Sequence, residues 1–91
     1  MDPRLNIIIQ NFDLRKLDRT CNDRNCQKPP SKKTTVFELN QTNMEKKELV
    51  VLNLCTEHFT GLKRFLRELA ELTERDKAIG VDVLETGYIT H

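Results

Sequence analysis

The sequence predicts a small α+β domain in which an antiparallel hairpin and a long C-terminal helix are flanked by short strands. Three observations support this fold class. Two β-branched and apolar segments enclose a polar stretch, which is typical of a hairpin. A segment with apolar residues at helical spacing follows the second of them. Cysteine and histidine side chains stand in two close pairs, one before and one after the predicted hairpin.

The length and composition favour one domain over residues 1–91. A domain this small buries only about 60–65% of its unfolded surface, so its core is marginal and a metal ion would help to hold it. Hydrophobic residues make up 37% of the chain and charged residues 32%. That content is too apolar and too patterned for a disordered chain.

Charge and hydropathy exclude several classes of protein. Lys and Arg number 15 against 14 Asp and Glu, so the formal net charge of +1 lacks the bulk basicity of a nucleic-acid coat protein. No apolar run approaches the roughly 20 residues that span a bilayer, and the first residues do not have the layout of a signal peptide. We therefore expect no membrane partner.

The N-terminal third is predicted to begin with a strand. The segment from Leu5 to Ile9 is short, β-branched and apolar. Residues 11–19 are too few for periodicity to distinguish a helical turn from a continued edge strand. Residues 21–26 predict a tight loop, because their Asn and Asp side chains tolerate left-handed backbone and bond their own main chain.

The hairpin is predicted from residues 34–39 and 48–54. Both runs are rich in β-branched and aliphatic side chains, and Phe37 and Leu39 share one face of the first. The eight residues between the runs are polar apart from Met44, which predicts a loop.

The strongest helix is predicted to start near Thr56. Its apolar residues form one stripe, and charged residues occupy the other side. Gly80 follows the last periodic residue and is expected to stop the helix. Residues 81–85 are compatible with a final strand, and residues 87–91 are expected to fray. The stripe consists of Phe59, Leu62, Phe65, Leu66, Leu69 and Leu72.

All three cysteines and one of the two histidines form the pairs Cys21-x4-Cys26 and Cys55-x2-His58. Thiolate and imidazole ligands satisfy tetrahedral Zn²⁺ with no position left open, so the set predicts one structural zinc ion per chain. Cys55 and His58 are three residues apart, which places both on one side of a helix start. An odd number of closely spaced cysteines favours metal over disulfides, and metal thiolates favour a reducing, intracellular (cytoplasmic) compartment.

Two other uses of these residues fit the pattern less well. A redox pair at Cys21 and Cys26 is disfavoured, because the spacing is not C-x2-C and the context is not a strand-to-helix turn. Catalytic zinc is disfavoured, because catalytic sites keep an open fourth position and this set fills all four. His91, at the C-terminus, is predicted to be solvated and is assigned no role.

The order of cysteine loop, hairpin and ligand-bearing helix resembles the treble-clef zinc finger. The resemblance covers residues 21–72, and residues 52–59 (LNLCTEHF) are its most specific part. In the family pattern the knuckle is C-x2-C with a glycine after it. The first loop departs from this pattern, because four residues separate Cys21 from Cys26 and Gln27 follows Cys26. Some treble clefs are nucleases with a histidine on the hairpin. This chain has none there, so we predict a non-enzyme without a small-molecule substrate.

Basic residues predict a contact with nucleic acid or a ribonucleoprotein. They group after the cysteine loop and on the exposed side of the helix, while acidic residues concentrate later in the chain. A surface formed by both groups would suit a phosphate backbone, whereas the phenylalanines fall on apolar faces and do not indicate base readout. The predicted contact residues are Lys28, Lys32, Lys33, Lys63, Arg64 and Arg67.

The alternative is a protein–protein interaction adaptor or a homodimer that does not contact nucleic acid. Residues 5–9 and 81–84 are apolar and lie outside the zinc unit, where they would form an extra sheet or an edge that pairs with a partner or a second copy. The apolar stripe is also wide, with Phe65 and Leu66 adjacent. A single hairpin is small for such a stripe, which favours dimerisation.

Overall fold

The computed structural model of the chain describes residues 2–16 and 19–85. A three-stranded antiparallel sheet carries helices on one face, which confirms the α+β class. The predicted fraying of residues 87–91, with His91, lies outside the described residues. The elements are α1 (Pro3–Asn11), a 3₁₀ turn (Leu14–Lys16), β1 (Lys32–Asn40), β2 (Lys46–Leu54), α2 (Thr56–Thr60), α3 (Leu62–Glu71) and β3 (Lys77–Glu85).

β1 is the central strand of the sheet, with β2 and β3 antiparallel on either side of it. The predicted hairpin is confirmed, and both strands extend further than expected, so that only residues 41–45 connect them. The predicted final strand is also confirmed. It begins earlier, at Lys77, and pairs with β1 along its whole length. The apolar segment near the C-terminus therefore completes the sheet of the hairpin.

The prediction of a strand from Leu5 to Ile9 is wrong, because these residues lie in α1. The side chain of Asp2 caps this helix by accepting a hydrogen bond from the backbone amide of Arg4 (2.9 Å). A proline follows the cap in the first turn, where its missing N–H costs nothing. Ile8 packs in the core. The capping signal and this packing outweigh the β-branched composition.

The predicted long C-terminal helix is shorter than expected and is followed by a strand. It divides at Gly61 into α2 and α3 and ends at Glu71. Beyond it, the hydroxyl of Thr73 donates to the carbonyl oxygen of Leu69 (2.8 Å), a bond that competes with further helix. Gly80, expected to stop the helix, lies in the middle of β3.

The core lies between the helices and the inner face of the sheet, the face that the helices cover. Leu62, Phe65 and Leu69 of the predicted stripe are buried there. The ring of Phe12 meets that of Phe65 edge-on, with centroids 4.9 Å apart. The three cysteines belong to the same buried cluster. Any ion that they bind is therefore part of the packing of the core.

On the outer face of the sheet, Phe37 of β1 lies over its cross-strand neighbour Gly80. A Cβ atom at residue 80 would lie 2.6 Å from Cζ of this ring. We therefore expect Gly80→Ala to displace the ring and to lower the unfolding free energy by about 1–3 kcal/mol in a thermal melt. Gly61→Ala is the matched control, since its Cβ would meet nothing nearer than the carbonyl oxygen of His58 at 3.7 Å. Equal melting temperatures for the two variants would contradict this account.

Candidate metal centre

The cysteine loop, residues 21–26, meets the junction of β2 and α2 beside the core. Two hydrogen bonds dock it there. The backbone amide of Asn22 donates to the carbonyl oxygen of Asn53 (2.8 Å), and the Asn22 side-chain oxygen accepts from the amide of Asn53 (2.6 Å). Asn53 stands two residues before Cys55. The loop is therefore held beside the strand end that carries the second ligand pair.

Four potential ligand atoms converge at this junction, all within 4.8 Å of one another. Sγ of Cys26 lies 3.8 Å from Sγ of Cys55, and Sγ of Cys21 lies 3.6 Å from Nδ1 of His58. Sγ of Cys55 is 3.2 Å from the same nitrogen. The three thiols are buried and free of disulfides. The two ligand pairs predicted from the sequence thus form one cluster that can hold a metal ion.

The thiols differ in how readily they ionise. Burial raises the pKa of the Cys21 thiol to about 11. Burial acts in the same direction on Cys55, but hydrogen bonds from His58 and from the neighbouring thiols outweigh it and lower the pKa of Cys55 to about 7. Because the thiolate is the form that binds a metal, Cys55 offers an anionic ligand at neutral pH, whereas Cys21 must release its proton to the solvent on binding.

A carboxylate lies near the imidazole of the cluster. Oδ2 of Asp23 is 3.6 Å from Nε2 of His58, the ring nitrogen that faces away from the thiols. Metal-binding histidines commonly have a carboxylate on this side of the ring. Oδ1 of Asp23 is itself held by the backbone amide of Asn25 (3.0 Å). From the sequence, Asp23 is predicted only as a turn residue.

Lys16, which no motif in the sequence marks, closes the cysteine loop. Its ammonium group donates to the carbonyl oxygens of Asp23 (2.6 Å), Arg24 (3.3 Å) and Cys26 (2.8 Å). This uses all three donors of the ammonium group. The sequence does not indicate this role of Lys16, because the residue stands in a segment without clear periodicity.

Substitution of Lys16 is therefore expected to weaken metal binding. Lys16→Met leaves three loop carbonyls without their common donor, and we expect about tenfold lower affinity, as for other groups that position metal ligands. Competition with a chromophoric chelator measures the affinity. Arg19→Met is the matched control, because Arg19 is exposed and carries the same charge near the loop. An equal loss of affinity in both variants would show that the positive charge, and not the bonds to the carbonyl oxygens, supports metal binding.

The structure separates the six predicted nucleic-acid contacts into two groups. In the first group, Nζ of Lys28 lies 2.7 Å from a carboxylate oxygen of Glu57. Nζ of Lys32 lies 2.6 Å from a carboxylate oxygen of Glu85. Lys33 points to the outer face of the sheet, away from the helices, because successive residues of a strand alternate between faces. Two cations of this group are thus already paired.

The second group lies on α3 and is free of acidic partners within the described part of the chain. Lys63, Arg64 and Arg67 are exposed, and their spacing of three and four residues makes them neighbours on the helix surface. Arg64 also lines a cleft of about 330 Å³ together with Asp23, His58 and the acidic side chains of Glu57 and Glu68. The basic side of α3 therefore adjoins the metal centre.

No known protein indicates a function for this chain. Comparison with family models, with curated proteins and with solved structures found no match. The resemblance to treble clefs therefore rests on the order of loop, hairpin and helix. Within residues 2–16 and 19–85, no helix is both long enough and apolar enough to cross a membrane.

Proposed function

We propose that the protein is a non-enzymatic binding module whose fold is held by one structural zinc ion. The observation that carries this proposal is the convergence of Cys21, Cys26, Cys55 and His58 on one point of the core. These side chains supply all four ligands of a tetrahedral ion. Because no position is left for water or a substrate, the ion has a structural role.

The distances in the cluster support zinc as the metal. With Zn–S bonds of about 2.3 Å and a Zn–N bond of about 2.1 Å, a tetrahedral ion places two sulfurs about 3.8 Å apart and a sulfur and a nitrogen about 3.6 Å apart. The Cys26–Cys55 and Cys21–His58 separations, 3.8 and 3.6 Å, match these values. Cys55 and His58 lie closer than this, at 3.2 Å. Soft thiolates select zinc over magnesium or calcium. They also favour a reducing compartment inside the cell.

The order of the elements supports a treble-clef-like zinc unit over residues 21–72. The cysteine loop comes first, the β1–β2 hairpin follows, and the last two ligands stand where β2 enters α2. α1 and β3 are additions on either side of this unit. β3 extends its sheet, and α1 covers its core through Ile8.

Native mass spectrometry of protein purified without chelator tests the zinc centre. We expect one zinc ion per chain, retained in the native spectrum and lost on denaturation. Elemental analysis of the same sample identifies the metal. Native protein without metal, in which three thiols titrate with a thiol reagent, would overturn the proposal.

We further propose that the module contacts nucleic acid or a ribonucleoprotein through the basic side of α3. Lys63, Arg64 and Arg67 support this, because they are exposed together and have no acidic partner among the described residues. Lys28 and Lys32, in contrast, are held by Glu57 and Glu85. Three neighbouring cations on a neutral protein suit contacts with phosphates rather than readout of bases.

The salt dependence of binding to a labelled RNA or DNA tests this contact. Three phosphate contacts predict a slope of about −2 to −3 in a plot of log K against log salt concentration. A variant with glutamine at all three α3 positions should lose binding, while Lys28→Gln, the control, should retain it. Binding that is absent or insensitive to salt would favour the alternative, a protein–protein interaction adaptor.

A further inference from the structure

The two edges of the sheet differ at one end, where the cysteine loop covers the last residues of β2. On the outer edge of β2, Asn22 of the cysteine loop occupies both the amide and the carbonyl group of Asn53. Along β3, the backbone of residues 78–85 has hydrogen-bond partners in β1 alone, as far as the described residues show. An edge strand of nine residues without a cover is a template for pairing with another strand.

β3 lacks two of the features by which edge strands avoid such pairing, a proline and a β-bulge, and its three charges are already paired within the chain. It contains no proline, and Val83 and Leu84 are 42% and 62% exposed. Because they are successive residues of a strand, they leave apolar surface on both faces of the edge. The charge nearest the middle, Asp82, lies 3.4 Å from Nζ of Lys46, which neutralises it.

The sequence of β3 is complementary to itself. When two copies pair antiparallel about Val81, opposite charges meet at both ends of the strands and apolar side chains meet between them. Gly80 lies opposite Asp82, which leaves room for the carboxylate. A shift by two residues would set Lys77 opposite Val83, and parallel pairing in register would set like charges side by side. The pairs in the favoured register are Lys77–Glu85, Ala78–Leu84, Ile79–Val83, Gly80–Asp82 and Val81–Val81.

Ion pairs within one chain hold the charged residues at both ends of β3 against the neighbouring strand β1. Glu85 lies 2.6 Å from Lys32 of β1, and Lys77 lies 3.5 Å from Glu38 of β1. Antiparallel pairing of two copies would continue these pairs into a row of alternating charge across both sheets. Such rows stabilise one pairing register. When one strand is displaced along the other, each charge comes to lie opposite a like charge or an apolar side chain.

We propose that β3 binds β3 of a second copy of this chain, which joins the two sheets into one sheet of six strands. The two-fold axis passes between the two Val81 residues, perpendicular to the sheet, so both helical layers lie on the same face. The interface uses the same residues from each copy and closes on itself as a dimer. The inference stands on β3 and is independent of any contact between α3 and nucleic acid.

Charge reversal with complementation tests this dimer by sedimentation equilibrium of the metal-loaded chain at low ionic strength. The wild-type protein is expected to form a concentration-dependent dimer. K77E sets two carboxylates opposite each other at both ends of the interface, and E85K sets two ammonium groups there. We expect each variant to dimerise about tenfold more weakly than the wild type. A mixture of the two variants restores both opposite-charge pairs in the heterodimer and should regain wild-type association.

Recovery on mixing distinguishes an interface from damage within the chain, because each substitution also removes a pair inside its own subunit. E48K is the control, since it reverses an exposed charge on β2, away from the interface, and should leave the dimer intact. A wild-type protein that stays monomeric at all concentrations would overturn the proposal. So would two variants whose mixture associates no better than either alone. The metal content of each sample shows separately whether the zinc centre is intact.

Discussion

Removal of the proposed zinc ion is expected to abolish the cooperative unfolding transition of the protein. Three of the four ligands are part of the buried core cluster, so the packing around them depends on what they bind. Structural zinc contributes about 10–16 kcal/mol of binding free energy in small domains, as much as the whole stability of a typical domain of about 5–15 kcal/mol. Thermal melts followed by circular dichroism, with and without a chelator, measure the effect.

Cys55→Ser should reproduce the effect of the chelator without any reagent. Cys55 stands at the centre of the cluster, 3.8 Å from Cys26 and 3.2 Å from His58, and a serine hydroxyl is a poor ligand at neutral pH. Asn25→Ser is the matched control, since Asn25 lies exposed in the cysteine loop and, among the described residues, only its backbone amide is bonded. A Cys55→Ser protein that kept the wild-type transition would contradict a structural metal.

Outside the metal centre, Arg4→Met is expected to cause the largest loss of stability. The guanidinium group of Arg4 donates to Glu38 of β1 (2.5 Å), to Thr73 after α3 (3.1 Å) and to Asp2 (2.7 Å). It therefore ties α1 to the sheet and to the end of α3. The side chains of Arg4 and Glu38 are each only 10% exposed. The substitution leaves the carboxylate of Glu38 buried without its main cation.

We expect Arg4→Met to lower the unfolding free energy of the metal-loaded protein in urea by about 3 kcal/mol. Lys77, 3.5 Å from Glu38, keeps the loss at the lower end of the range for broken buried pairs. Arg15→Met is the control, because Arg15 pairs with Asp13 at the same spacing but is 88% exposed, and it should leave stability unchanged. Equal losses in the two variants would contradict a role for burial.

The network of Arg4 favours the charged form of both carboxylates. Hydrogen bonds from Arg4 lower the pKa of Asp2 to about 2, and they hold the pKa of Glu38 below its usual range. A carboxyl group whose pKa is lower in the folded state stabilises the fold above its unfolded pKa and loses that contribution as the pH falls through the folded value. At neutral pH the network therefore contributes fully, and urea titrations at pH 7 measure all of it.

Several features could be predicted from the sequence because they depend on local chemistry and spacing. The ligand set follows from residue type, since Cys21, Cys26, Cys55 and His58 stand in close pairs. The hairpin and the strand after the helix follow from β-branched runs bounded by polar residues. The buried side of α3 follows from the period of its leucines and phenylalanines. In each case, the information lies within a window of about ten residues.

Local residue patterns thus specify the chemistry of the ligands, the hairpin and the buried side of α3, whereas the tertiary fold sets how distant segments meet. α1 is a helix partly because Arg4 reaches Glu38, 34 residues away. β3 joins β1, and Gly80 lies under Phe37, through the pairing of strands about forty residues apart. Lys16 reaches the cysteine loop only once the chain has turned. These contacts depend on the three-dimensional path of the chain, and periodicity within a short window carries no record of that path.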